Sequence, residues 1–194
     1  MIIVAHRINR LEELNALPTR YGVEVDVRAE GTELLLHHDP FQGGESLESY
    51  LESYRHRLII FNIKEAGIEE SVIAMARKYG IADFFLLDVE FPYLYRAARA
   101  GIRDIAVRYS EDEPIETATR YRDMVNWVWI DTQTRLPLDA QTVETLGGTR
   151  SCLVSPDRWG RPEDIPRYRE QMEKLSFTPA AVMTGKEYIP LWEA

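Results

Sequence analysis

Cysteine and positive charge are both scarce in this sequence. The 194 residues include one cysteine, Cys152, so no disulfide can form within the chain, and the disulfide-rich class of secreted domains is excluded. Aspartate and glutamate outnumber lysine and arginine by 32 to 23, and the formal net charge is −9. This balance argues against non-specific binding to nucleic acid or to an anionic membrane surface. One phosphate group held in a locally basic pocket is still compatible with it.

Long apolar runs and low-complexity tracts are also missing. Nothing in the sequence approaches the roughly 18 consecutive apolar residues that a membrane-spanning helix needs. The opening residues Met1–Ala5 show no basic segment and no apolar run of signal-peptide length. No linker rich in proline, glycine or serine divides the chain. We therefore expect a cytoplasmic protein without a transmembrane segment, folded as a single domain over residues 1–194.

Short runs rich in β-branched and aromatic residues alternate with helical patterns along the chain. The predicted strands are Ile2–His6, Val23–Arg28, Leu58–Lys64, Phe84–Glu90, Asp104–Arg108, Trp127–Asp131, Cys152–Ser155 and Ala181–Thr184. The predicted helices are Arg10–Ala16, Leu47–Arg55, Glu69–Tyr79, Tyr93–Ala100, Ile115–Met124, Leu138–Leu146 and Ile165–Leu175. This alternation predicts an α/β fold, a minimal (β/α)8 TIM barrel with short connections. A doubly wound open sheet is less favoured, because residues 5–9 after the first strand contain no glycine for a phosphate-binding loop.

Polar residues stand at the end of nearly every predicted strand. In a TIM barrel, functional residues collect where the strands reach their carboxyl ends. The residues at these positions are His6, Arg7, Glu24, Asp26, Arg28, Asn62, Lys64, Asp88, Glu90, Arg108, Asp131 and Asp157. Any one of them is equally well a solvated loop charge or a helix cap, so the repetition is the stronger signal.

Glu24 and Asp26 are the most informative pair. Because side chains alternate along a strand, both face one way and the intervening valines face the other. In a barrel the carboxylates point inward, where they repel each other unless a cation or a shared proton relieves them. Hard divalent ions such as Mg²⁺ and Ca²⁺ prefer such ligands, whereas a solvated edge strand is the structural alternative. On the next strand Asn62 and Lys64 share a face, and they supply a neutral oxygen and a cation.

Two adjacent histidines, His37 and His38, follow a predicted hairpin. If Ala29–Gly31 turns the chain back, the segment Glu33–His38 runs antiparallel to the strand that carries the acids. A slip of one residue moves every side chain to the opposite face, so the parity of the turn decides which histidine meets the acids. The residues alone leave the two histidines equivalent.

In their order and spacing, four short motifs resemble the glycerophosphodiester phosphodiesterases. The motifs are His6-Arg7 after the first strand, Glu24-x-Asp26 on the second, His38-Asp39-Pro40 after the hairpin, and Asn62-x-Lys64 on the third. The resemblance is specific through Lys64, about a third of the chain. The wider superfamily includes phosphatidylinositol-specific phospholipase C and sphingomyelinase D-type enzymes, and its fold is a TIM barrel.

The resemblance implies a role for each matching residue. His6 and His38 would form the general acid/base pair, and Glu24 and Asp26 would bind a divalent metal ion, Mg²⁺ or Ca²⁺, with Asn62 as a third ligand. The phosphate of a small-molecule phosphodiester substrate would be held by Arg7, Lys64 and Arg108. The family pattern therefore selects His38 over its neighbour.

Three departures limit this transfer. The glycine that usually follows His-Arg is Ile8, which changes how the backbone approaches a phosphate. The usual third acidic ligand is Asn62, which lowers the negative charge of the metal site, and Asp88 is a candidate replacement. Only six residues, FQGGES, separate Pro40 from the next predicted helix, where the family often carries a long insertion. The site should be more open, or completed by another subunit of a homo-oligomer.

The function that this pattern favours is metal-dependent cleavage of a glycerophosphodiester or a related phosphoglycan or phospholipid head-group diester. The product is either the hydrolysed monoester or a cyclic phosphate. The alternative is a phosphoryl-ligand binding protein that has lost catalysis, which Asn62 and Ile8 motivate. Glycoside hydrolysis by Glu24 and Asp26 is weaker, because neighbours on one face of a strand cannot flank a sugar.

The later half of the chain resembles a short branch of the same superfamily that is met beside surface-polysaccharide enzymes. The segments concerned are Val107–Glu111, Trp127–Asp131 and Val154–Arg161. Arg158 and Arg161 flank Trp159-Gly160 in a loop, where they either bind an anion or are merely solvated. Trp129 is predicted to belong to the core, whereas a tryptophan near the rim could stack on a sugar.

Overall fold

The computed structural model describes residues 1–193 and contains one mixed sheet surrounded by helices. Its strands are β1 (Ile2–Ala5), β2 (Gly22–Glu30), β3 (Glu33–Leu36), β4 (Glu45–Ser46), β5 (Ile59–Ile63), β6 (Phe84–Leu87), β7 (Ala106–Tyr109), β8 (Trp127–Ile130), β9 (Arg150–Val154) and β10 (Ala181–Thr184). The eight predicted strands correspond to β1, β2 and β5 to β10. The two short strands β3 and β4 come from the predicted hairpin and the segment after it.

The sheet curls in the manner of a TIM barrel. Parallel pairing runs in the order β6, β5, β2, β1, β10, β9, β8 and β7. Between the two end strands there is a single parallel bridge, which joins Leu86 to Ile105 just before β7. The predicted α/β class and the curled, TIM-barrel-like sheet are confirmed, whereas closure of the barrel is limited to this one bridge.

The helices follow the predicted alternation and differ mainly at their ends. They are α1 (Leu11–Ala16), α2 (Leu47–Ser53), α3 (Glu69–Lys78), α4 (Phe91–Arg99), α5 (Ile115–Tyr121), α6 (Ala140–Leu146), α7 (Ile165–Lys174) and α8 (Ile189–Glu193). Helix α4 begins two residues earlier than predicted, since Pro92 fits the first turn of a helix. Helix α8 was not predicted. Among residues 1–193, no helix has the length and apolarity needed to cross a membrane.

The two faces of the sheet bury different sets of side chains. Val23, Val25 and Val27 pack on the outer side with helix residues such as Leu14 and Tyr50. A second apolar cluster fills the inside of the curled sheet: Val4, Leu58, Ile60, Phe85, Leu87, Ala106, Trp127, Trp129, Cys152, Val154, Ala181 and Met183. Glu24 is the register partner of Ile60 and therefore lies on this inner face, as its alternation with the valines predicts.

A hairpin extends β2 and carries the adjacent histidines. Strand β3 pairs antiparallel with the second half of β2, with Val27 opposite Leu36. Gly31 in the turn has φ of 62°, in the left-handed region where glycine is at no steric disadvantage. One further backbone hydrogen bond continues the ladder, because His37 N donates to Asp26 O at 3.1 Å. The sequence does not determine the register of this hairpin. In the structure, the register places His37 opposite Asp26.

We expect the substitution Phe85→Ala to destabilise the protein by about 3–5 kcal/mol, because it empties part of the inner cluster. The Phe85 ring is fully buried, with its centroid 4.6 Å from that of Trp127 and 6.4 Å from that of Trp129. Equilibrium urea denaturation measures the change. Phe41 is fully exposed, and Phe41→Ala is the control, with an expected change within about 0.5 kcal/mol. Equal effects of the two substitutions would contradict the packing described.

Candidate active site

Glu24 lies fully buried on the inner face of β2. Its Oε2 accepts a hydrogen bond from the backbone N of Arg7 at 2.8 Å, and its Oε1 accepts one from Asn62 Nδ2 at 2.9 Å. Arg7 has φ of 54°, which residues other than glycine rarely adopt. The backbone N of Ile8 also donates to Glu24 O, at 2.9 Å, so two hydrogen bonds hold this turn after β1. The turn brings His6 and Arg7 to the acid pair.

The electrostatic surroundings of Glu24 disfavour its charged form. Burial, together with the neighbouring charge of Asp26, raises the pKa of Glu24 from 4.5 to about 7. The hydrogen bonds from Arg7 and Asn62 and the charge of Lys64 act in the opposite direction. Near neutral pH this carboxyl group therefore gives up its proton more readily when an added cation stabilises the charge.

Asp26 is fully buried and is bound mainly by Asn9. Asn9 Nδ2 donates to Asp26 Oδ2 at 2.8 Å, and Asp26 N donates to Asn9 Oδ1 at 2.8 Å. Lys64 Nζ lies 3.0 Å from Asp26 Oδ1, and Arg7 Nε lies 3.8 Å from Oδ2. The lysine contact is an ion pair without hydrogen-bond geometry, since Oδ1 has no hydrogen-bond partner within residues 1–193. Sequence reasoning missed Asn9, and its only signal is its place in the turn after β1.

His6 is nearly buried beside the acid pair, with its Nε2 3.9 Å from Glu24 Oε2. Burial, together with the positive charges of Arg158 and Arg7, lowers the pKa of His6 to about 3. The imidazole is therefore neutral at physiological pH, which is the form that can accept a proton. Arg158 is a second residue near the site that was not predicted to belong to it.

A groove of about 760 Å³ is lined by His37, His38 and Arg7, among other residues. His38 Nδ1 lies 2.8 Å from Asp39 Oδ1, and this hydrogen bond lowers the pKa of Asp39. His37 Nδ1 instead contacts the backbone of Asp39, with O at 3.0 Å and N at 3.1 Å. Arg28 Nη2 donates to His38 O at 2.8 Å and fixes the backbone there. The register of the hairpin thus favours His37, whereas the carboxylate of Asp39 orients the ring of His38, and the choice between the two histidines stays a prediction.

Oxygen atoms suited to a divalent ion lie at the acid pair. Asp26 Oδ1 and Asn62 Oδ1 are buried and have no hydrogen-bond partner within residues 1–193. Leaving such atoms unpaired is unfavourable, and hard cations bind carboxylate and amide oxygens. Within residues 1–193 there is no group of three or more His, Cys, Asp or Glu side chains that could hold a metal ion. The donor set Glu24, Asp26 and Asn62 nevertheless fits a hard divalent ion, with less negative charge than three acids would provide.

Arg108 and Asp88 lie together in an ionic cluster at the ends of β6 and β7. Arg108 Nη1 is 2.5 Å from Asp88 Oδ1, Nε is 2.6 Å from Glu113 Oε1, and Nη2 is 2.8 Å from Asp131 Oδ2. Asp131 Oδ1 also accepts a hydrogen bond from Trp159 Nε1 at 2.8 Å. All three guanidinium nitrogens of Arg108 thus face carboxylates. The phosphate role of Arg108 and the metal role of Asp88 stay predictions that these contacts do not support.

We predict that Glu24→Gln stabilises the metal-free protein at alkaline pH. The folded-state pKa of Glu24 is raised from 4.5 to about 7 by burial, so the stability that this group provides is complete below about pH 4.5 and is lost as the pH rises through about 7. Glutamine does not ionise, and its variant should exceed the wild type in free energy of unfolding by on the order of 3 kcal/mol at pH 8.

Urea denaturation with a chelator present, at pH 4.5, 6 and 8, measures this difference. The advantage of the glutamine variant should shrink toward zero at the lowest pH. A variant that is less stable than the wild type at every pH would mean that the carboxylate hydrogen bonds outweigh the cost of burying the charge.

The fold of this chain is similar to that of solved glycerophosphodiester phosphodiesterase structures. The chain superimposes on glycerophosphodiester phosphodiesterase from Agrobacterium tumefaciens with a TM-score of 0.69 and 15% identity, over 100% of each chain. It superimposes on a glycerophosphoryl diester phosphodiesterase from Parabacteroides distasonis with a TM-score of 0.65 and 11% identity, over 99% of this chain and 85% of that one. No family model and no curated protein matches the sequence. The likeness in fold that the sequence motifs imply is therefore confirmed across nearly the whole chain.

Proposed function

We propose that this protein is a metal-dependent phosphodiesterase that cleaves a glycerophosphodiester or a related phosphoglycan or phospholipid head-group diester. The observation that carries the proposal is the position of His6, nearly buried and 3.9 Å from Glu24, at a buried acid pair that Arg7 and Lys64 approach within 4 Å. The fold shared with glycerophosphodiester phosphodiesterase structures supports the same reaction class.

The two histidines divide the proton transfers between them. His6 is neutral at working pH, and we assign to it the general base that takes a proton from water or from a substrate hydroxyl. We assign to His38 the general acid, because the carboxylate of Asp39 contacts its Nδ1 at 2.8 Å and orients the ring. An alkoxide leaves poorly unless it receives that proton. If a substrate hydroxyl attacks, the product is a cyclic phosphate.

Two cations at the acid pair are suited to the phosphate. Lys64 carries a flexible ammonium group, and Arg7 carries a planar fork of donors whose side chain is partly exposed to the groove. Both lie within 4 Å of Asp26, so they are positioned beside the predicted metal ligands. In this proposal they stabilise the negative charge that builds up on the phosphoryl oxygens.

The predicted metal ligands are Glu24, Asp26 and Asn62. A bound Mg²⁺ or Ca²⁺ would polarise the non-bridging phosphoryl oxygens as a Lewis acid. The buried oxygens of Asp26 and Asn62 that accept no hydrogen bond, and the raised pKa of Glu24, support this role, because an added cation would stabilise each of these groups. Asn62 in place of an acid lowers the charge of the site and should weaken metal binding.

A binding protein without catalysis is the second candidate. Asn62 and Ile8 are the residues that motivate it, since the family has an acid and a glycine at these positions. It is less favoured, because simple binding of a phosphoryl ligand needs no pair of histidines. Turnover of a diester under any of several divalent metals separates the two candidates, and no turnover with any of them would favour binding alone.

We predict that His38→Ala and His6→Ala abolish most turnover of an alkyl glycerophosphodiester, by about 10²- to 10⁴-fold in kcat. If His38 is the acid, its loss should affect this substrate much more than bis(p-nitrophenyl) phosphate, whose leaving group needs no proton. Loss of the base His6 should affect both substrates alike. Steady-state rates for the two substrates, with circular dichroism to verify folding, make the comparison.

His37→Ala is the matched control, because His37 lines the same groove and differs from its neighbour by one position. We expect its rates to stay within about tenfold of the wild type, which is well short of a lost acid or base. Loss of activity in this variant with full activity in His38→Ala would reverse the assignment of the acid. Full activity in His6→Ala would reject the proposed base.

We predict that Mg²⁺ or Ca²⁺ raises the melting temperature of the wild-type protein, because the ion binds the folded state. At 100 times its Kd the stabilisation is about 2.7 kcal/mol. Asp26→Asn should remove the effect, whereas Asn62→Asp should lower the metal Kd by adding a carboxylate. Calorimetry and thermal denaturation give a readout that does not depend on activity. The control is Glu116→Gln on helix α5, and equal metal stabilisation of wild type and Asp26→Asn would place the metal elsewhere.

A further inference from the structure

One of the three cations predicted for the phosphate site, Arg108, makes three ion pairs of its own. Arg108 was expected to hold the phosphate with Arg7 and Lys64, but its three guanidinium nitrogens already face the carboxylates of Asp88, Glu113 and Asp131. Its positive charge is therefore compensated before any substrate binds. The guanidinium of another arginine, Arg158, makes few such contacts.

Arg158 lies in a short 3-10 helix, Pro156–Trp159, that directly follows β9 at its carboxyl end. Both neighbours of Arg158 in the sequence are anchored. Asp157 accepts hydrogen bonds from Thr184 Oγ1 at 2.7 Å and from Gly185 N at 2.9 Å, at the end of β10. Trp159 Nε1 donates to a carboxylate at the end of β8. The backbone that presents Arg158 is thus held on both sides.

The guanidinium of Arg158 is poorly paired. Its Nε is buried and has no hydrogen-bond partner within residues 1–193. Its Nη1 lies 3.7 Å from Asp157 Oδ2, which is too far for a hydrogen bond, and that oxygen already accepts from Gly185. A buried donor of a charged group without an acceptor is unfavourable, so this position suits an incoming anion.

Backbone and side-chain contacts place the segment that carries Arg158 beside the one that carries His6. Asp157 accepts hydrogen bonds from Thr184 Oγ1 and Gly185 N, and the backbone N of His6 donates to Thr184 O at 2.9 Å. The end of β10 therefore joins both segments, and Arg158 follows Asp157 directly. Its side chain is 28% exposed, so it is accessible from the rim while most of it is enclosed. A dry, enclosed setting strengthens the interaction of an arginine with a phosphate.

We propose that Arg158 is a substrate-binding residue that donates hydrogen bonds from Nε and an Nη to the phosphoryl group, and that with Arg7 and Lys64 it completes a three-cation phosphate site. The inference rests on the proposed function for its substrate, and it adds the residue that binds the anion from the β9 side. The planar fork of arginine matches two oxygens of a tetrahedral phosphate, which the single ammonium of lysine cannot do.

The test compares Arg158→Ala, Arg158→Lys and the control Arg120→Ala, which removes an exposed arginine from helix α5. Inorganic phosphate and glycerol 3-phosphate are the probes, titrated by calorimetry at one ionic strength. Arg158→Ala should weaken the binding of both by about 10- to 100-fold, since charge-assisted hydrogen bonds are lost. Arg158→Lys should lie between, and Arg120→Ala should bind as the wild type does. For the diester, KM should rise in parallel.

The outcomes separate the inference from the proposed function. If the wild type turns over a diester and Arg158→Ala binds phosphate unchanged, the inference is wrong and the function stands. If the wild type binds phosphate without turnover and Arg158→Ala loses binding, the inference stands and the function is wrong. A wild type that does not bind phosphate overturns the inference. Should the alanine variant fail to fold, Arg158→Lys decides, because unchanged affinity in that variant contradicts the bidentate contact.

Discussion

Two carboxylates buried side by side on one strand are the constraint on which the rest of the site depends. Placing Glu24 and Asp26 inside the curled sheet removes both from water and puts like charges near each other, and either effect alone is unfavourable. The surrounding residues offset it: Arg7 and Asn62 donate hydrogen bonds to Glu24, while Asn9, Lys64 and Arg7 surround Asp26. The offset is incomplete, because the pKa of Glu24 is still raised. This incomplete compensation is the physical reason for proposing that a cation binds here.

The fold was largely predictable because it follows from local patterns. Each parallel strand is a short run of β-branched or aromatic residues, and alternation along β2 correctly assigns Val25 to the outer face and Glu24 to the inner one. Features that depend on long-range packing were not predictable. Helix α8 is five residues long and is stabilised by burying Ile189 and Trp192, which its short sequence pattern does not reveal. The helix ends also shifted, as fraying ends do.

The site was predictable where the residue type itself restricts the chemistry, and not where partners are chosen by geometry. Two acids spaced by one valine, and a lysine on the next strand, indicate a cluster in any parallel sheet. Asn9 looks like an ordinary loop residue until the turn after β1 closes onto Asp26. Arg108 lies near the end of β7 and Arg158 lies just after β9, and residue type alone does not distinguish them. Their difference arises because three acids from separate segments converge on Arg108 alone.

The asparagine at position 62 changes the charge balance of the site toward anion binding. In the proposed site three cations, Arg7, Lys64 and Arg158, accompany two carboxyl groups, and a glutamate at position 62 would add a third. A phosphodiester carries one negative charge, so the surplus cation is matched by the substrate itself. The amide still provides a neutral oxygen for a metal ion and a donor for Glu24. In the proposed function, such a site would rely less on a metal ion to attract the phosphate, and a bound metal ion would serve to polarise it.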